Sequence, residues 1–125
     1  MSLRSPLGRA RGHGSAKAGV HHWWVQRLTG VALVPLSLWV VFSLAGLADA
    51  GHAEVVGWIS QPLVTALLLG FVIAAFYHLQ LGLQVIIEDY VHTRPLQLIA
   101  QVAVRLGAVL FALIAIVSIL KISLA

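Results

Sequence analysis

The sequence predicts an all-α membrane protein with three transmembrane helices. Of its 125 residues, 60% are apolar and only 10% are charged, against about 25% charged in soluble domains. Mean hydropathy is +0.96. The apolar residues gather in three windows, Leu28 to Leu47, Val64 to Ile87 and Leu98 to Leu120. About 20 helical residues, at 1.5 Å each, cross the hydrocarbon core of a bilayer.

In chain order, residues 1 to 20 form a basic, Gly/Ser-rich arm with no apolar run before residue 28, so no cleavable secretory signal is expected. A flexible cytoplasmic arm is the reading. The arm is short and lacks the amphipathic pattern of a mitochondrial presequence, which makes the mitochondrial inner membrane the alternative location to a bacterial inner membrane. Residues 21 to 125 form the membrane domain, with spans over about 26–48, 62–89 and 97–121.

"GVHHWWVQRLTG" brings two histidines, two tryptophans and Arg27 to the entry of the first span, the composition of an interfacial aromatic belt with a snorkelling cation. Pro35 is tolerable inside a membrane helix, and Gly30, Ser37, Ser43 and Gly46 offer small surfaces for helix contact. The segment from Ala48 to Pro62 reads as an ordinary connection, with Trp58 at an interface. The second span runs without a formal charge to Ile87, and "EDYVHTRP" then turns toward the third. Only 15 apolar residues separate Arg105 from Lys121, about 22 Å and too short to cross. The third helix therefore begins near Leu98 and holds Arg105 within the bilayer, where it snorkels to the headgroups or meets an acid.

Charge sets the topology. Arg4, Arg9, Arg11, Lys17 and Arg27 precede the first span and Arg94 and Arg105 follow the second, while the loop between holds Asp49 and Glu54 with no Lys or Arg. The positive-inside rule places the N-terminus in the cytoplasm, and nothing in this distribution calls for nucleic acid. The absence of cysteine excludes a disulfide, a thiolate metal site or a cysteine-held iron–sulfur cluster in this chain.

His78 lies ten residues before Glu88, about 15 Å below the membrane boundary and so at the midplane. An ionisable group there is a functional candidate by default; the bland reading is a neutral histidine bonded between helices. At 100° per residue His78, Gly82, Val85 and Asp89 share one helix face. A neutral imidazole with a glycine one turn away suits axial haem ligation in a dry site, although small residues also serve plain packing. One histidine supplies one axial ligand, and His13, His21, His22, His52 and His92 lie outside the membrane interior, so a six-coordinate haem would take its second ligand from another subunit.

Asp89 and Tyr90 stand where the second helix meets water. A phenol can donate to a quinone carbonyl and the neighbouring carboxylate can orient donors or relay protons; the alternative is a polar helix end with an interfacial tyrosine. Gln84, on another face, either lines a polar cavity or bridges helices. Arg27 has a guanidinium fork suited to a carboxylate such as a haem propionate, or it simply sets topology.

"HHWWVQRLTGVAL", followed by a second span with "HLQLGLQVIIEDYVH", resembles the hydrophobic membrane anchor of succinate dehydrogenase, complex II. The similarity covers about residues 16 to 125. It implies a chain forming part of a heteromeric helical bundle, with His78 as axial ligand of a haem b, Arg27 near the haem propionates, and Tyr90 and Asp89 at a ubiquinone site. It also implies three partners: a cytochrome b subunit that shares the haem and the quinone site, an iron–sulfur subunit, and a flavoprotein subunit with FAD. Electrons from succinate would reach quinone through those clusters, the anchor alone being no catalyst. The cytochrome b partner in such complexes continues its histidine span with Gly-x-Arg-His; here the glycine is followed by "LQVIIEDY", which favours the hydrophobic anchor. The alternatives are a fumarate reductase anchor and a non-redox structural subunit. No role is assigned to the His21–His22 pair.

Overall fold

In a computed structural model the described residues are 5–7 and 17–125. The arm expected over residues 1 to 20 lies mostly outside them. From residue 17 onward the described chain forms four helices: α1 (Lys17–Gly46), α2 (His52–Ile59), α3 (Pro62–Tyr90) and α4 (Arg94–Leu124).

The three long helices are each long and apolar enough to cross a membrane. With 30, 29 and 31 residues they reach about 45 Å, more than the hydrocarbon core requires, so their ends extend to headgroup level or the helices tilt. Prolines mark two starts: Pro62 and Pro95 occupy the first turns of α3 and α4, where a missing N–H is no loss. Pro35 sits inside α1 without ending it.

The segment expected as plain connection contains α2. Glu54 lies in its first turn, where a carboxylate favours the positive end of the helix dipole, and Trp58 stacks on Trp39 of α1 with ring centroids 5.7 Å apart. Gly57 reads as a turn signal in the sequence, yet α2 runs through it because Val55, Val56 and Trp58 gain packing that outweighs its low helix propensity.

Helix α3 is the centre. It packs against both α1 and α4, which do not pack on each other, while α2 packs on α3 and α4. Residue pairs fix the antiparallel registers: His78 meets Gly30 across α1 and α3, and Thr65 meets Ser123 across α3 and α4 with hydroxyl oxygens 2.8 Å apart. Thr65 donates to the carbonyl of Ile59 at 2.6 Å, so the Ser123 hydroxyl supplies the proton in that pair. The end of the bundle carrying α2 is thereby pinned.

Among the described residues only Val64, Thr65, Leu81 and Ile87 are buried. A long apolar helix with one neighbour on each side leaves most of its circumference uncovered, and the faces of Val31, Val34, Leu106 and Ile114 are exposed. Such surface is stable only against lipid or further apolar helices.

Candidate functional site

His78 is held in place by α1. Nδ1 lies 3.0 Å from the Thr29 hydroxyl, which in turn lies 2.8 Å from the carbonyl of Val25 and 3.1 Å from that of Gln26. A hydroxyl has one proton. Since Thr29 donates to its own helix, it accepts from His78, and the imidazole proton sits on Nδ1. Nε2 then carries the lone pair and has no hydrogen-bond partner among the described residues. A metal-binding histidine needs this tautomer, with the second nitrogen anchored by an acceptor.

Gly30 makes the approach possible. A Cβ at that position would stand 3.4 Å from Cε1 of His78, at the lower edge of ordinary contact. At Gly82, one turn from His78, the Gln26 amide lies 4.0 Å from where a Cβ would stand, an ordinary contact distance.

The open side of His78 faces a cleft of about 680 Å³ lined by Gly19, His22, Trp23, Gln26, Arg27, Gly30, Val31, Val34 and His78. Arg27, one turn beyond Trp23, lays its guanidinium 4.8 Å over the Trp23 ring, a cation–π contact. Trp23 meets Trp24 edge to face at 5.0 Å. Gln26 Oε1 is buried without a hydrogen-bond partner among the described residues, a costly state without a donor from elsewhere.

These residues fit one side of a haem site. They provide one axial nitrogen, a glycine beside it, an apolar wall of Val31 and Val34, and a cation at one end. No group of three or more His, Cys, Asp or Glu stands together among the described residues, so an iron here needs a macrocycle to supply its equatorial ligands. Among the described residues, those named above are all that line the cleft.

Asp89 and Tyr90 close α3, both exposed, Tyr90 at 78%. They lie three turns beyond His78, and neither lines the cleft. The structure thus separates the sequence-predicted residues into two places: His78 and Arg27 in one cleft, Asp89 and Tyr90 at a helix end open to water or a partner. Gln84 donates its amide to Glu88 Oε1 at 3.0 Å. With His21, His22, Gln80 and Arg105 it lines a second cleft.

Thr29 and Gln26 are site residues that sequence reasoning missed, and Gly30, expected only as a small surface for helix contact, lies against the His78 ring. The "QRLTG" run contains them, but their link to His78 depends on interhelix register, which no local pattern encodes.

The chain matches the family described as succinate dehydrogenase/fumarate reductase transmembrane subunit over residues 1–120. It is 35% identical over 108 residues to a protein of Rickettsia bellii named succinate dehydrogenase hydrophobic membrane anchor subunit, covering 86% of each chain. A protein of the same name from Rickettsia typhi is 31% identical over 109 residues, again covering 86% of each. The succinate dehydrogenase membrane anchor subunit of Reclinomonas americana is 27% identical over 96 residues, 74% of this chain and 80% of that one.

Proposed function

This chain belongs to the succinate dehydrogenase/fumarate reductase transmembrane subunit family, and on that premise we propose that it is the hydrophobic membrane anchor of a succinate:quinone oxidoreductase. In this reading it resides in a bacterial inner membrane with its N-terminus in the cytoplasm, and holds iron–sulfur and flavoprotein subunits at the membrane. The relatives named above all carry the succinate dehydrogenase name, which supports succinate oxidation over fumarate reduction.

The observation that carries the redox part is the His78 geometry. Thr29 holds Nδ1, so Nε2 would be the atom of this chain that ligates a haem b shared with a cytochrome b subunit. Arg27 reaches the propionates with its fork. A haem held by these residues would supply a one-electron carrier. Gly30 keeps the imidazole against α1, and Val31 and Val34 exclude water, lowering the local dielectric around the iron.

Tyr90 donates its phenolic proton to a carbonyl oxygen of ubiquinone, and Asp89 orients the neighbouring donors and passes protons from the aqueous side. Their exposure at the end of α3 suits a site completed by partner subunits. The chain contributes positioning and proton access; flavin and clusters lie in the partners.

The test is the reduced-minus-oxidised visible spectrum of the affinity-purified complex, wild type beside His78→Ala. A b-type band that vanishes or shifts in the variant is the expected result. A band indifferent to the substitution would remove His78 as ligand.

A further inference from the structure

The second cleft lies on another face of α3 from His78. Ile73, Tyr77, Gln80 and Gln84 recur at helical spacing and form its floor. His21, His22 and Val25 of α1 make one wall, and Arg105, Ala108, Val109 and Ala112 of α4 the other. Its volume is about 560 Å³, and it exists because α1 and α4 both pack on α3 without meeting.

Its polarity is graded along the membrane normal. The registers set by Gly30 with His78 and by Thr65 with Ser123 bring His21, His22, Gln84 and Arg105 toward the end of α3 that carries Asp89. Ile73, Val109 and Ala112 lie deeper. By the Thr65–Ser123 register Arg105 stands level with Leu83, about 8 Å inward of Glu88, and no ion pair engages it among the described residues. Glu88, one turn beyond Gln84, accepts the Gln84 amide. A permanently charged guanidinium at that depth is costly without an anion.

We propose that this cleft binds an anionic phospholipid, its phosphate held by Arg105 with N–H donors from His21 and His22, and one acyl chain laid along Ile73, Val109 and Ala112. Basic pockets between transmembrane helices take anionic headgroups in this way, and the guanidinium fork matches two phosphate oxygens. The polar rim over an apolar floor fits an amphiphile rather than a free anion. The site uses none of His78, Asp89 or Tyr90, so it stands or falls apart from the redox reading.

The test uses the tagged chain with the subunits that purify with it. The preparation is delipidated in detergent and reconstituted in phosphatidylcholine nanodiscs doped with phosphatidylglycerol, and the retained lipid is counted by mass spectrometry after re-extraction. Wild type should hold phosphatidylglycerol in preference to phosphatidylcholine, Arg105→Gln should hold about tenfold less, as expected for one lost charge-assisted contact, and Arg105→Lys should recover part. Ala112→Phe, which fills the apolar floor and leaves the charge, should lose the lipid as well and serves if Arg105→Gln fails to assemble. Equal retention by wild type and both variants, or no preference for phosphatidylglycerol, overturns the proposal. Displacement of the lipid by inorganic phosphate alone also overturns it, since that would make the site an anion site.

Discussion

The Thr29 hydroxyl joins His78 Nδ1, 3.0 Å away, to the Val25 carbonyl, 2.8 Å away, so the backbone of α1 dictates which nitrogen of a mid-membrane histidine keeps its proton. On the proposed ligation, Thr29→Val removes the acceptor, weakens the imidazole as a donor ligand and frees its ring. Haem retention should fall about tenfold or more, and the midpoint potential of what remains should rise, because a less basic ligand stabilises ferric iron less. Thr29→Ser keeps the hydroxyl and should restore both. Redox titration of the purified complex reads the result, and identical potentials in all three proteins would confine Thr29 to packing.

Gly30 sets a steric limit beside the same ring. Alanine places a Cβ 3.4 Å from Cε1, at the lower edge of ordinary contact, so Gly30→Ala should cost about 1 kcal/mol or less. Gly30→Leu has no room for its branches and should push the imidazole out of register. The expected outcome is a near-normal b-type spectrum for alanine and a lost or shifted band for leucine. A normal spectrum with leucine would show that His78 does not depend on this contact.

Tyr90 is 78% exposed, so replacing it leaves the packing of this chain untouched. Tyr90→Phe deletes one donor and should lower quinone reduction roughly tenfold, the worth of one hydrogen bond of about 1.4 kcal/mol, while succinate oxidation with a soluble artificial acceptor stays at wild-type rate. Parallel assays with the two acceptors separate the cases. Equal rates with quinone would take Tyr90 out of the site.

Thr65 is one of the few buried side chains, and its hydroxyl links the Ile59 carbonyl to Ser123. Thr65→Val preserves volume but leaves the α2–α3 junction and the end of α4 unbonded. A loss of about 1 kcal/mol is expected, seen as a lower thermal midpoint by circular dichroism in detergent, with the haem spectrum unchanged below the transition. A spectral change would tie this end of the bundle to His78, about 20 Å away along α3.

Much of the architecture is local information. Three apolar windows specify three crossing helices because only intrahelical hydrogen bonds satisfy a lone segment's backbone in lipid, and Pro62 and Pro95 mark where two of them start. The membrane depths of His78 and Arg105 follow from counting residues against a fixed rise per residue. Helix α2 was not legible in this way, since Gly51, Gly57 and Pro62 signal turns, and its tertiary contacts with α3, α4 and Trp39 repay a helix through Gly57.

The sequence by itself determined the class of the protein, the order of its spans, and the helix faces on which His78 and Tyr90 stand, all of which depend on composition and on a period of 3.6 residues. Tertiary structure alone decided that Thr29 is the partner of His78, that Gly30 rather than Gly82 lies against its ring, and that His21, His22 and Arg105 share one cleft. Those relations depend on how far α1 and α4 slide along α3 and how they rotate about their own axes. Interhelix register is fixed by the close packing of small residues and by hydrogen bonds between distant positions, and no single helix contains it.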